Sequence, residues 1–161
     1  MATTRLALTP ESAHYPSTNY PAFSTVNNRP VLAFDATTSE TCYWTIVAPQ
    51  GLTGALSAVI HVFGNAAGTN GVAFDVAVEA VTPGDALDLD SATGFDTVNA
   101  SGTIAMIATQ GYQTSGTVTL TNADSVAAGD YVRISLARDV ADAGDNFAAD
   151  AYVTLVEIRE A

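Results

Sequence analysis

The sequence predicts an all-β fold: an antiparallel β-sandwich of jelly-roll type with about eight strands over residues 31–161, behind an extended N-terminal arm over residues 1–30. Three observations carry this prediction. Between Val31 and Arg159 short runs of alternating apolar and polar residues are separated by Gly, Asn, Asp and Thr, as strands are by turns. No segment sustains the apolar stripe that a long helix needs. Pro10, Pro16, Pro21 and Pro30 recur through the first thirty residues, which excludes a regular helix there and favours extended backbone.

Fully extended, such an arm could span about 100 Å. His14, Tyr15, Tyr20 and Phe23 would anchor it equally well in a groove of a neighbour or along its own sandwich. The strands then follow in order. Residues 31–34 and 41–48 flank the polar stretch 35–40, which suits a turn. In 55–63, Leu56, Ala58, Ile60 and Val62 share one face, and the Gly- and Asn-rich stretch 64–71 that follows predicts a hairpin to the next strand. Val72, Phe74, Val76 and Val78 alternate with Ala73, Asp75, Ala77 and Glu79, a period of two with acid on the outward face. Weaker strand signals at 95–98 and 103–108 precede 117–121. The pattern closes with 131–138, where Val132, Ile134 and Leu136 oppose Arg133 and Ser135, and with 152–159. Stretches 83–92 and 139–149, rich in Gly and Asp, read as loops, and residues 122–126 suit one helical turn capped by Asn122.

With 161 residues the chain has room for one domain with a sizeable core. Its formal charge is -12, from 17 acidic residues against five arginines and no lysine. That field repels a phosphate backbone, and Arg5, Arg29, Arg133, Arg138 and Arg159 are scattered, so nucleic acid is not an expected partner. An anionic membrane is disfavoured by the same argument, and the longest apolar run, near 55–63, falls far short of a bilayer span. The N-terminus lacks the basic cluster and apolar core of a secretory signal, and the lone Cys42 allows no internal disulfide; synthesis in a cytoplasm fits both.

No catalytic set assembles, so no enzyme is expected. His14 lies in the Pro-rich arm and His61 mid-strand, without a Gly-x-Ser-x-Gly elbow or a Lys-bearing phosphate loop nearby. Cys42 reads as a small core residue rather than a nucleophile. Asp85, Asp88 and Asp90, and likewise Asp139, Asp142 and Asp145, are close enough in sequence to raise a calcium site, but neither set fits the twelve-residue calcium loop. Both read as solvated loops, and neither a metal nor a cofactor is expected. Trp44, Tyr112 or Tyr131 could serve as an aromatic platform for carbohydrate, with Trp44 the one that reads as core.

Several stretches resemble a family of small virion proteins of tailed bacteriophages, the capsid decoration or cement proteins. They are Asn27-Asn28-Arg29-Pro30-Val31 running through Asp35 to Glu40, Gly71-Val72-Ala73-Phe74-Asp75 through Glu79, Leu87-Asp88-Leu89-Asp90 before Phe95, Ala127-Ala128-Gly129-Asp130-Tyr131 through Arg138-Asp139, and Leu155-Val156-Glu157-Ile158-Arg159. The resemblance implies a jelly-roll homotrimer, made in the host cytoplasm, that binds the outer surface of the assembled major capsid protein lattice and stabilises it by mass action. Interfaces are enriched in Arg and aromatic residues, which makes Arg5, Tyr15, Tyr20, Phe23 and Arg29 the expected contacts with capsid or neighbouring protomer. The alternative is a receptor- or glycan-binding module of a tail fibre or baseplate, with the 64–71 loop as its recognition face.

Overall fold

A computed structural model describes residues 2–86, 89–90 and 94–161. Ten strands follow in chain order: β1 Thr3–Leu8, β2 Ala22–Val26, β3 Arg29–Phe34, β4 Thr41–Val47, β5 Leu56–Gly64, β6 Gly71–Val81, β7 Asn99–Ala105, β8 Thr114–Thr119, β9 Tyr131–Arg138 and β10 Ala151–Glu160. A single 3-10 turn at Pro10–Ser12 is the sole helical element among the described residues. One sheet runs β2-β3-β10-β5-β8, with β1 paired to the far half of β10; the other runs β4-β9-β6-β7, and every pairing is antiparallel.

The inward faces obey the period of two. Ala58, Ile60 and Val62 of β5 meet Phe74, Val76 and Val78 of β6 and Ile134 and Leu136 of β9 in one apolar cluster. Phe34 and Phe74 meet edge to face across it, with ring centroids 5.3 Å apart. Trp44 is part of this core, and its indole N–H donates to the Thr9 carbonyl at 2.9 Å, so it cannot serve as a platform.

The all-β sandwich stands, with ten strands instead of about eight. The added strands, β1 and β2, come from the stretch expected to be an arm. That stretch is extended but not free: β1 pairs along β10, His14 exchanges backbone bonds with Tyr43 at 2.7 and 2.9 Å, Thr41 donates to the Asn19 carbonyl, and β2 pairs along β3. Exposed strand edges offer unpaired N–H and C=O groups, and this segment satisfies three of them in succession. The expected boundary between residues 30 and 31 falls inside β3.

Three local expectations change. β5 and β6 form no hairpin, because they lie in different sheets and the connection between Gly64 and Gly71 crosses the sandwich. The expected strands at 95–98 and 103–108 are replaced by β7, whose irregular register against β6 is accommodated where Phe74 N–H donates to the Ser101 hydroxyl beside Gly102 at φ +61°. Residues 122–126 make no helix. Asp124 and Ser125 adopt left-handed φ of 50° and 53°, and the Asp124 carboxylate accepts the Ala80 N–H.

Arg138, at the end of β9, has no exposed surface. Its guanidinium is paired with Asp145 at 2.7 Å and donates to the carbonyls of Phe34, Asp35, Phe147 and Ala149. Removing one member of such a group strands the others away from water. Arg138→Ala is expected to lower the unfolding free energy by about 3–5 kcal/mol, read from urea titration; a loss under about 1 kcal/mol would contradict the structural role assigned here.

Candidate functional site

The six-stranded sheet turns a second face outward, and there the pairing order builds a cleft. β10 and β5 supply its floor through Thr154 and Phe63. The β2–β3 turn, with Val26, Asn27 and Arg29, forms one wall; Gly111 and Gln113, just before β8, form the other. The volume is about 470 Å3, within the range of sites that hold small molecules. A separate apolar cavity between the sheets, lined by residues such as Leu6, Ile46, Leu52 and Val78, measures about 20 Å3 and holds no ligand larger than a water.

Each wall is fixed by its own chemistry. Asn27 and Asn28 both take left-handed φ, 49° and 62°, so the two-residue turn matches the twist of the β2–β3 hairpin; Asn tolerates this conformation better than most residues. The opposite wall is fastened to the β5–β6 connection: Gly111 N–H donates to Gly64 O at 3.1 Å, Gln110 Nε2 to Asn65 O at 2.7 Å, and Gly68 N–H to Ala108 O at 3.1 Å. Gly111 itself sits at φ +79°, a conformation costly for other residues. Phe63 is held edge to face by Tyr152, centroids 5.3 Å apart. Tyr112, between the lining residues Gly111 and Gln113 in sequence, is 60% exposed.

Beside the cleft runs a chain of polar contacts. Thr154 Oγ1 donates to Gln113 Oε1 at 3.4 Å, Gln113 Nε2 meets His61 Nδ1 at 3.0 Å, and His61 Nε2 meets Glu157 Oε1 at 2.6 Å. Glu157 is further paired with Arg159 at 2.9 Å and accepts the Thr4 hydroxyl at 2.5 Å. The Arg159 guanidinium, the Thr4 hydroxyl and His61 together hold the Glu157 carboxyl down at about 2. A carboxylate held that low is not a proton donor near neutral pH, and His61 is engaged on both ring nitrogens. Cys42 is buried in the core, and burial pushes its thiol well above the ordinary range, which removes it as a nucleophile.

Of the five expected contact residues, Arg29 alone lines the cleft. Arg5 is paired with Glu160 at 2.5 Å; Tyr15 and Tyr20 pack on each other, centroids 5.5 Å apart, near the β4 edge; Phe23 is 51% exposed on edge strand β2. The 64–71 loop lies behind the cleft wall as its support and supplies none of its lining. Tyr131 belongs to the outer face of the four-stranded sheet, where it neighbours Val47 in the β4–β9 register.

The acid-rich loops also resolve into local contacts. Asp145 is taken by Arg138, Asp142 accepts Gly144 N–H at 2.7 Å and Asp139 accepts Ala141 N–H at 3.1 Å. Burial and the nearby Asp139 and Asp142 carboxylates raise the pKa of Asp75. Among the described residues no group of three His, Cys, Asp or Glu gathers as a metal site; Asp88, of the other expected set, lies outside them. Phe63, Gln113 and Thr154 carried no local signal, because only the pairing of β10, β5 and β8 brings them together. The Asn27-Asn28 pair was the readable trace of the first wall.

No family model and no curated protein matches the chain. Solved structures do. The chain is similar to the family-35 carbohydrate-binding module of Abf62 from Cellvibrio japonicus, with a TM-score of 0.55 and 10% identity over 98% of this chain and 92% of that one. It is also similar to the C-terminal family-6 carbohydrate-binding module of LamC, a marine laminarinase from Zobellia galactanivorans, with a TM-score of 0.51 and 14% identity over 96% and 98%. At these identities the likeness is one of fold, and it spans the whole sandwich.

Glu157 makes the face acid-sensitive. Its folded pKa lies below the ordinary 4.5, so its contribution to stability is complete above 4.5 and disappears as pH falls toward about 2. Glu79 and Glu160 are lowered by Arg133 and by the Thr53 and Gly54 amides, and act in the same direction. Melting temperature should therefore fall between pH 4.5 and 2, and Glu157→Gln should start lower at pH 6 and decline less steeply. Parallel curves for the two proteins would show that the carboxylate is not linked to folding.

Proposed function

We propose that this chain is a non-catalytic recognition module that binds glycan in the cleft on the outer face of its six-stranded sheet. The cleft itself carries the reading: a pre-formed concavity with an aromatic floor at Phe63, neutral hydrogen-bonding groups at Asn27, Gln113 and Thr154, and the exposed Tyr112 next in sequence to two of its lining residues. A sugar presents a weakly apolar face edged with hydroxyls, and a ring beside amide and hydroxyl groups complements both. The two solved structures named above are carbohydrate-binding modules, which supports the same conclusion. So does the state of the reactive groups, since His61, Glu157 and Cys42 are each engaged or buried.

In the phage setting implied by the sequence resemblance, such a module would be the receptor-binding part of a tail fibre or baseplate. Capsid decoration, the role that resemblance implies, would gain from an arm free to reach a neighbour. Here the arm's backbone is hydrogen-bonded within its own sandwich, which favours the recognition reading.

An array of oligosaccharides probed with the purified chain tests the reading. At least one glycan should be retained, and Tyr112→Ala should weaken it about tenfold without changing the melting temperature, because Tyr112 is exposed. Equal binding by Tyr112→Ala and Gln113→Ala, or no glycan bound, would overturn it.

A further inference from the structure

Resting on the glycan reading, we infer that the cleft selects an acidic sugar, and that Arg29 is the residue that recognises its anionic group. The chain carries 17 carboxylates for five arginines, so an arginine without an acid is against the odds. Arg5, Arg133, Arg138 and Arg159 are each ion-paired, with Glu160, Glu79, Asp145 and Glu157. Arg29 forms no ion pair among the described residues. Its one hydrogen bond there runs from Nη1 to the Asn27 carbonyl at 3.2 Å, within its own turn.

A guanidinium has five N–H donors in a planar fork. One such bond, on Nη1, leaves most of that fork unspent, while the left-handed turn at Asn27 and Asn28 fixes the backbone from which the side chain projects. None of the seven residues lining the cleft is acidic, in a chain of net charge -12. Glu157, the carboxylate nearest along the polar chain, is already engaged by Arg159 and His61. The cleft therefore offers a cation with open donors and no competing anion, on a surface that elsewhere repels negative charge. A hexuronate carboxylate meets the fork with two parallel N–H···O bonds; a sulfate ester offers similar oxygens with less planar geometry. The neutral groups and rings would contact the rest of the sugar ring, as they would for any glycan.

Paired probes distinguish this inference from the reading beneath it. Hexuronate oligosaccharides are compared with their carboxyl-reduced counterparts, sialylated glycans with desialylated ones, and sulfated oligosaccharides with desulfated ones, all by calorimetry. At least one acidic member should bind about ten- to a hundredfold more tightly than its neutral partner. Arg29→Gln should erase that preference while leaving the melting temperature unchanged, and Arg29→Lys should recover only part of it. A sulfated probe preferred over every carboxylated one would overturn the carboxylate assignment. Neutral and acidic partners bound equally, with Tyr112→Ala still weakening both, would overturn the inference and leave the glycan reading standing. Binding of no probe would overturn both.

Discussion

One buried guanidinium holds the architecture in register. Arg138 sits at the end of β9 in the four-stranded sheet, yet donates to the carbonyls of Phe34 and Asp35 at the end of β3 in the six-stranded one. It also collects Asp145, Phe147 and Ala149 from the connection to β10. Burying a charge costs several kcal/mol unless it is fully satisfied, and satisfaction here requires both sheets and the connection to be in place together. The consequences reach the cleft. With the connection fixed, the Phe147 ring packs so closely on Gly64 that a Cβ there would stand 2.3 Å from it. The start of the β5–β6 connection is thereby pinned, and its Gly64 and Asn65 carbonyls are the acceptors that fasten the wall carrying Gly111 and Gln113.

The acidic composition has a structural side that net charge conceals. Glu79, Asp130 and Glu160 are buried, and each is used as an acceptor: Glu79 for Arg133 and Gly94 N–H, Asp130 for Ala127 N–H, Glu160 for Arg5 and the Thr53 and Gly54 amides. Four arginines act as internal ties, and the chain has no lysines to act as loose surface cations. On the outer face of the four-stranded sheet, Arg133 lies over the Phe95 ring, 4.8 Å from its centroid, while Phe95 stacks on Tyr43. Those contacts cover part of that face, while the opposite sheet presents an open concavity.

Strands whose two faces differ in polarity were legible in the sequence. β9 falls at the residues that its alternation marks, and β4, β5, β6 and β10 fall within two residues of theirs. What could not be read were elements defined by a partner. β1 shows the core only Leu6 and Leu8, β2 lacks a continuous apolar face, and both become strands because β10 and β3 offer edges. Glu79 looks like a solvent-facing acid until Arg133 is placed beside it. The cleft obeys the same rule. Arg29 was nameable from residue type, and Tyr112 was nameable as an aromatic in a loop. Phe63, Gln113 and Thr154 are separated by tens of residues and meet only through antiparallel register. Local pattern specifies which residues face out, but not which of them face the same thing.

The cleft divides into groups that are already committed and groups that are still free, and this division bears on how it would bind. Phe63 is clamped by Tyr152, Gln113 is oriented by Thr154 and His61, and Asn27 is locked in its turn. Holding these groups in advance means that a ligand meeting them incurs little ordering cost. Tyr112 and Arg29 are the opposite case, exposed and lightly held. Fixing such side chains on binding costs about 0.5–1.5 kcal/mol each, so a ligand gains from them only if it supplies a ring face for one and an anion for the other. The rigid floor sets what shape fits, and the two free side chains set which chemistry is retained. Under the proposed glycan reading, a site built this way would discriminate among sugars without needing to be tight, and several copies presented together would raise the avidity while leaving that discrimination intact.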